Sequence, residues 1–540
     1  MIAYYLVIAA YLAILSLLTV YCIHRYYILC AYFKYKKHPF TAADQPAQLP
    51  LVTIQLPIYN EMYVIRRLLH AVAGLRYPKE LLEIQVLDDS TDETSAIVCD
   101  DIRRLREYGY DISYLHRTHR RGFKAGALQA GLEGAKGELI AIFDADFVPQ
   151  EDFLLQTVPY FSNARVGMVQ TRWGHINRSY SMLTRLQSIF LDAHFILEHT
   201  VRSRSGRFFN FNGTAGIWRK EAIHDAGGWQ HDTLTEDLDL SYRAQLKGWK
   251  FVFLPDVVTP AEIPVDMNSF KTQQHRWSKG SIETARKLMG IIFSSMQPVK
   301  VKAESFYHLT ANLNYLLVLL LSVLAYPALV IRINMGWRTL LLCDFIFFLG
   351  STLPVGLYYI ISQKEVNERW FGKIFYLPAL MALGIGLCVN NGRAVIEALA
   401  GHKTSFLRTP KFRIEEKSDS WKFKKYRAFS RAGSVLVELA LGCYFLFAIV
   451  FAARLRVYAS LPFLMMFCGG FFYVSILSLC QGIHAARWKD ESLSDHGNYS
   501  EVGASDLAFS DARCAKGVLQ HSSGSDGGTR SVASDYLLQP

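Results

Sequence analysis

The sequence predicts an α/β domain with a mostly parallel sheet, set between α-helical transmembrane segments. Three observations predict it: short β-rich runs alternate with helix-like stretches in the middle of the chain, long apolar runs flank that region, and the composition is apolar and sparsely charged. Of 540 residues, 51% are hydrophobic and 19% charged, against roughly 25% charged in soluble domains. Mean hydropathy is positive at +0.13. A single soluble globule and a disordered chain are both disfavoured. The net charge of +11, from 58 Lys+Arg against 47 Asp+Glu, fits the cytoplasmic loops of a membrane protein better than nucleic-acid binding, so no nucleic-acid partner is expected. The nine cysteines show no Cys-x-x-Cys spacing and mostly sit in apolar runs, which supports neither a zinc site nor a disulfide framework.

A helix needs about 20 apolar residues to cross the hydrocarbon core. Ile2 to Cys22 has that length and is followed by His24, Arg25, Lys34, Lys36 and Lys37. Charges after rather than before the run indicate a retained anchor with a cytoplasmic basic flank, not a cleaved signal. Leu309 to Ile331, Leu340 to Ile361, Val435 to Ala453 and Leu461 to Ile483 read as further crossings. Ile374 to Val389 is shorter, is interrupted by Pro378 and runs into the amphipathic Arg393 to Glu397. If it spanned, ten basic residues between Arg393 and Arg427 would lie outside, so an interfacial or re-entrant helix over about 374–400 is preferred. The expected organisation is an anchor over 1–37, a cytoplasmic domain over 38–302, a membrane region over 303–484 and a Ser-, Gly- and Asp-rich disordered tail over 485–540.

Within the middle domain, Leu51 to Leu56, Ile84 to Leu87 and Leu139 to Phe143 read as strands, with helices over Met62 to Leu75 and Thr94 to Tyr108. Ligands bind beyond the carboxyl ends of such parallel strands. Two of the three runs end in acidic residues, Asp88-Asp89 and Asp144-Ala-Asp146. A helix cap accounts for one such residue, but poorly for acidic pairs at more than one strand end. Asp144 and Asp146 can hold Mg2+ or Mn2+, which would bridge to nucleotide phosphates. Lys124, on a Gly-flanked basic segment, can approach a diphosphate or be an ordinary surface lysine. Thr235 precedes a helical pattern, and Glu236 and Asp237 fall in its first turn. Asp237 there favours the helix dipole, or serves as a general base. Gln273, Arg276 and Trp277 combine an amide, a guanidinium suited to a leaving diphosphate and an indole on which a sugar can stack. Trp173 and Trp229 offer similar faces, with core packing the blander role.

In order and at these intervals, Asp88-Asp89, Asp144-Ala-Asp146, Thr235-Glu-Asp237 and Gln273-x-x-Arg276-Trp277 resemble the processive family 2 glycosyltransferases, which include cellulose, chitin and hyaluronan synthases. Gln85 to Asp92, Ile142 to Phe147, Phe211 to Trp218 and Leu246 to Phe251 bring the match nearest to the cellulose synthase-like A and C groups, makers of mannan, glucomannan or glucan backbones. The resemblance implies a glycosyltransferase-A, Rossmann-like cytoplasmic domain. It implies nucleotide contacts from Asp88 and Asp89, donor binding that also involves Lys124, Asp144, Asp146 and Arg276, and a metal held by Asp144 and Asp146. It also implies Asp237 as catalytic base with Asp88 beside it, and acceptor contacts from Phe211, Asn212, Gly213, Thr214, Glu236, Gln273 and Trp277. Phe406, Thr409 and Lys411, in a segment of about 403–427, resemble a gating loop, with Arg408 where that pattern has Val. The polar stretch after the last crossing is too short for a cyclic-di-GMP-binding barrel, so activation through one is not expected.

The function so implied is inverting transfer from GDP-mannose or UDP-glucose to a growing β-polysaccharide, with 1,4 the linkage expected. The enzyme would be a multi-pass protein of a bacterial inner membrane or the Golgi, with accessory subunits as further partners. One rival is a non-processive transferase that adds a single sugar to a lipid. Another is a transporter or receptor, for which Glu438 and Asp344 are the sparse intramembrane acids.

Overall fold

The computed structural model describes residues 1–41, 48–337, 340–367, 369–428 and 432–495. Most of the expected tail, 496–540, lies outside the described residues. Seven strands form the sheet of the middle domain: β1 Val52–Ile58, β2 Leu82–Asp88, β3 Asp111–His116, β4 Leu139–Ile142, β5 Val166–His175, β6 Gly216–Arg219 and β7 Lys250–Ala261. Their order is β3-β2-β1-β4-β6-β5-β7. The first four strands are parallel, β6 is antiparallel to both neighbours, and β5 and β7 are parallel to each other. This is the mostly parallel α/β sheet expected.

The three strands read from sequence are β1, β2 and β4, which are buried almost throughout. Near-continuous apolar runs are the pattern of strands covered on both faces. Their polar residues are satisfied across the ladder: Thr53 Oγ1 donates to Glu83 Oε2, and Gln55 Nε2 donates to Gln85 Oε1 at 3.0 Å. Strand β1 continues past Pro57 to Ile58, beyond its expected end at Leu56. Its pairing with β4 ends at Gln55, so the missing N–H of Pro57 removes no bond on that side. β3 lies at the sheet edge and alternates between exposed and buried positions, and β6 is only four residues long. Neither signal stands out from the surrounding sequence.

The topology collects chemistry on one rim. The carboxyl ends of β1, β2, β4, β5 and β7 share it with the amino end of antiparallel β6. Residues after Ile58, Asp88, Ile142, His175 and Ala261, and those just before Gly216, therefore converge there.

Among the described residues, four helices are long and apolar enough to cross a membrane: Ile2–Tyr35, Leu313–Asn334, Ala432–Arg454 and Tyr458–Ile483. A helix over Leu340–Val366 occupies the remaining expected crossing. The ambiguous stretch is two helical pieces, Phe371–Gly386 and Cys388–Leu399, bent by 42°. The last helix runs on to Asp495, past the point where the tail was expected to begin. The membrane helices pack through small residues: a Cβ on Gly386 would lie 2.3 Å from Gly470 O, and one on Gly470 2.2 Å from Ala382 O. Such contacts let helix backbones approach closely in lipid. Gly470→Leu is therefore expected to cost about 1–3 kcal/mol by overpacking, read as a lower melting temperature in detergent. An unchanged melting temperature would mean that the two helices do not touch there.

Candidate active site

The rim encloses a cavity of about 160 Å3. Asp89, Lys124, Asp144, Asp146, Asn212, Gly213, Glu236, Asp237, Gln273, Arg276, Trp277, Phe406, Thr409 and Lys411 all line it, alongside Glu61, Arg120, Trp173, His175, Glu262 and Arg408. Residues from separate stretches of sequence thus meet in one compartment, Asp146 and Asp237 among them.

Asp144 and Asp146 leave the end of β4 with one residue between them. Lys124 Nζ donates to Asp144 Oδ1 and, at 2.9 Å, to the carbonyl of Gly213. Lys411 Nζ donates to Asp146 Oδ2 at 2.7 Å. Lys124 is no ordinary surface lysine. Burial works against its charge, but Asp144, Glu236 and Asp237 outweigh it and raise its pKa. Among the described residues no group of three or more His, Cys, Asp or Glu could hold a metal ion. The two aspartates fit a hard divalent cation as a pair of oxygen donors whose remaining ligands are waters and substrate phosphates.

Asp237 stands in the first turn of the helix Glu236–Leu246. Thr235 occupies the cap position as expected, yet makes no side-chain capping bond; its hydroxyl lies 3.4 Å from that of Thr284. A long helix, Met267–Ser294, begins at Asp266, whose side chain accepts from Ser269 N–H. It carries Gln273, Arg276 and Trp277 at spacings that put them on one face. A Cβ on Gly280 would lie 2.5 Å from Thr235 Cγ2, so this glycine lets the two helices meet and brings Arg276 beside Asp237. Burial, then the neighbouring Glu236, push the Asp237 carboxyl up to about 7 against the opposing Leu238 N–H and Lys124. Burial likewise raises Glu236. Among the described residues no cation is ion-paired with Asp237, whose Oδ1 accepts from Leu238 N–H at 2.8 Å.

Several expected residues sit elsewhere. Asp88 is wholly buried and does not line the cavity. It accepts from Ser90 N–H at 2.8 Å, Ser95 Oγ at 2.7 Å and Tyr114 OH at 2.9 Å. Hydrogen bonds from His116, Ser90 and Ser95 overcome its burial and lower its pKa. In this structure Asp88 thus braces the turn that presents Asp89 to the cavity. Asp89 is clasped by Arg117 through Nε at 2.7 Å and Nη2 at 2.6 Å. Phe211 and Thr214 are buried beneath the cavity rather than in its wall. Phe211 packs on Trp218, and Thr214 Oγ1 accepts from Asp144 N–H at 2.8 Å. Trp229 is core, whereas Trp173 lines the cavity and packs on Phe147. Glu438 is ion-paired with Lys271 at 2.7 Å, and the side chain of Asp344 lies outside those described.

Sequence reasoning missed Glu61, His175 and Glu262. Glu262 directly follows β7, His175 ends β5 and Glu61 lies three residues past β1, so each sits at or near a strand end as Asp144 does. Asn60 takes a positive φ of 55° and turns Glu61 inward. Arg408, the residue that departs from the gating-loop pattern, pairs with Glu61, its Nε at 2.7 Å. Burial raises the Glu61 carboxyl to about 7 in spite of Arg408. Glu262 accepts from the N–H groups of Phe412 and Arg413 at 2.9 and 2.7 Å. The guanidinium of Arg276 lies 4.5 Å from the Phe406 ring centroid. Segment 406–413 therefore lies against the cavity through four of its own side chains and two backbone N–H groups.

The comparisons with known proteins bear on a fold and a site of this kind. Residues 50–280 match the family described as glycosyltransferase like family 2. Glucomannan 4-beta-mannosyltransferase 1 of Oryza sativa subsp. japonica is 45% identical over 265 residues, covering 48% of this chain and 51% of the relative. Glucomannan 4-beta-mannosyltransferase 1 of Cyamopsis tetragonoloba is 44% identical over 264 residues, covering 47% of this chain and 50% of the relative. Glucomannan 4-beta-mannosyltransferase 2 of Arabidopsis thaliana is 43% identical over 263 residues, covering 47% and 49%. The matched region thus spans about half the length of these curated relatives.

Gly213 provides a direct test of the geometry. Its φ is +83°, and a Cβ there would lie 3.1 Å from Asp237 Oδ2 and 3.4 Å from Lys124 Nζ. Gly213→Ala is expected to lower kcat by about tenfold or more, because it moves the base and the lysine together. The melting temperature should shift by only a few degrees. Retention of full kcat would show that Asp237 does not work at this position.

Proposed function

We propose that the protein is a membrane-embedded inverting glycosyltransferase that extends a β-1,4-linked mannan or glucomannan chain from GDP-mannose with a divalent cation. The observation that carries this is one cavity holding an uncompensated Asp237 beside the Lys124–Asp144 pair, Asp146 and Arg276. The mannosyl donor, rather than UDP-glucose, follows from the names of the relatives matched across this domain.

Asp237 takes the proton from the acceptor hydroxyl, which attacks the anomeric carbon from the face opposite the diphosphate. A single displacement of this kind needs no enzyme-bound intermediate and inverts an α-linked donor to a β-product. Lys124 and Arg276 bring positive charge to the diphosphate as it departs. Asp144 and Asp146 would hold Mg2+ or Mn2+, which supplies charge stabilisation to the same phosphates. Lys411 must then release Asp146, which assigns the 406–413 segment a gating role. Asp89 and Arg117 lie at the nucleotide end. Trp277 and Gln273 meet the acceptor, and the polar face of the Met267–Ser294 helix leads the product toward the membrane helices.

The contacts of the 406–427 segment with the sheet domain, through Glu61, Asp146, Asp92 and Glu93, support placing both on one side of the bilayer. The positive-inside bias makes that side the cytoplasm. The bent pair around Leu387 then enters the membrane without crossing it.

Purified protein supplied with radiolabelled GDP-mannose should yield a polymer degraded by an endo-β-1,4-mannanase, while UDP-glucose alone should yield none. A product of one sugar on a lipid, or incorporation only from UDP-glucose, would overturn the proposal. Asp237→Asn is expected to lower kcat by about 10²–10⁴-fold, with little change in donor KM. The base must be ionised to act, so kcat/KM should fall as pH drops below about 7, tenfold per unit, and be flat above. An acid limb that survives in Asp237→Asn would assign it to another group.

A further inference from the structure

A polar chain leads from the cavity wall to the first membrane helix, and neither the motif set nor the mechanism above uses it. The helix Met182–Ala193 passes into a π-helical turn, His194–His199, a geometry that recurs at functional sites. Three side chains of this turn are joined by hydrogen bonds that end on Asn212, a residue in the cavity wall. His199 Nε2 lies 2.5 Å from Asn212 Oδ1, Asn212 Nδ2 lies 3.2 Å from His194 Nε2, and His194 Nδ1 lies 3.0 Å from Glu198 Oε2.

Donor and acceptor chemistry gives the chain one direction. Glu198 is ionised: its burial favours the neutral acid, but Arg25, Arg202 and His194 hold its pKa well below the usual carboxylate range. A carboxylate only accepts, so His194 donates from Nδ1 and its Nε2 is a lone pair. That lone pair takes one proton of the Asn212 amide, which turns Oδ1 toward His199. His199 is kept neutral, chiefly by burial, and donates from Nε2, while its Nδ1 is buried with no partner. With the His194 ring neutral, every proton position in the chain follows from the charge on Glu198. Among the described residues no hydrogen bond uses the second Nδ2–H of Asn212, a residue that lines the cavity.

Glu198 is itself held from the membrane side. Arg25, in the helix Ile2–Tyr35, is ion-paired with it, and Tyr358, in the helix Leu340–Val366, donates to Oε1 at 2.9 Å. The Arg25 guanidinium also lies 4.4 Å from the Tyr358 ring centroid.

We infer that Glu198 and His194 are positioning residues that fix the direction of the Asn212 amide, so that its free N–H bonds a hydroxyl oxygen of the acceptor sugar, and that Arg25 and Tyr358 tie this setting to the membrane helices. The inference rests on the transferase reading of the cavity and adds to it what orients the acceptor. A misdirected amide presents its carbonyl oxygen to the same hydroxyl and misplaces the attacking group relative to Asp237. Small misplacements of that kind are costly in rate.

Removing Glu198 would strand Arg25 and Arg202 and risks unfolding, so the test uses His194 and Asn212. With a manno-oligosaccharide acceptor and whichever donor the wild type turns over, His194→Leu should raise acceptor KM about tenfold and leave donor KM within about twofold. In an Asn212→Ala background the same change should shift acceptor KM by less than about twofold, because the group it orients is gone. Equal penalties in the two backgrounds, or a loss falling on donor KM, would overturn the inference while leaving the transferase reading intact. A readout independent of turnover is ¹⁵N NMR of the ring nitrogens in detergent-solubilised full chain. His194 should be the Nδ1–H tautomer and His199 the Nε2–H tautomer, with the His194 preference weakened in Asn212→Ala. An Nε2–H form of His194 in the wild type would sink the relay whether or not the enzyme is active, and absence of turnover with both donors would sink the transferase reading alone.

Discussion

Crowding carboxylates into one cavity depends on burying cations with them. Asp89 faces Arg117, Asp144 faces Lys124, Asp146 faces Lys411 and Glu61 faces Arg408. Unpaired charges in such a place would cost several kcal/mol each or be neutralised by protonation. Glu236 and Asp237 have no such partner among the described residues, and burial raises both, as it raises Glu61 in spite of Arg408. Burial that nearby cations do not fully offset is what brings a carboxylate's proton affinity toward neutrality.

Those cations come from unrelated parts of the chain. Lys124 belongs to the sheet domain, whereas Arg408 and Lys411 arrive from a segment between membrane helices. The site is thus complete only when the membrane region is docked on the sheet. Further ties do the same: Lys271 with Glu438, Arg202 and His24 with Glu304, and Gln363 with Asp192. Each is a buried polar contact between the sheet domain or its long helix and a helix read as membrane-spanning or leading into one. These contacts hold the cavity and the membrane-region helices in fixed register.

Much of this was legible in the sequence wherever one local rule was enough. Apolar runs ending in acids marked β1, β2 and β4 and their rim because doubly covered strands are continuous in hydrophobicity. The Thr-Glu-Asp start of a helix and the Gln-x-x-Arg-Trp spacing placed Asp237, Gln273, Arg276 and Trp277 on helix surfaces. The misses have physical causes. Asp88 and Asp89 are adjacent and chemically identical, but successive residues at a strand end point to opposite sides, so one is buried under Tyr114 and the other lines the cavity. Phe211 and Thr214 flank the cavity residues Asn212 and Gly213 yet are buried, in a loop ahead of β6 where strand alternation gives no guide. His194 and Glu198 lie in an uninterrupted helical pattern, and nothing local signals the π-turn that brings both histidines to Asn212.

What the sequence determined alone were properties carried by neighbours in the chain: hydrophobic periodicity, helix starts, membrane-length runs and the kinds of chemistry available. What only the tertiary structure decided was which of those groups meet and in what charge state. A carboxylate's proton affinity depends on the cations and burial around it, and those come from segments hundreds of residues apart, such as Lys411 against Asp146. Long-range pairing of this sort leaves no local trace, because it is set by how the layers pack rather than by how any one of them forms.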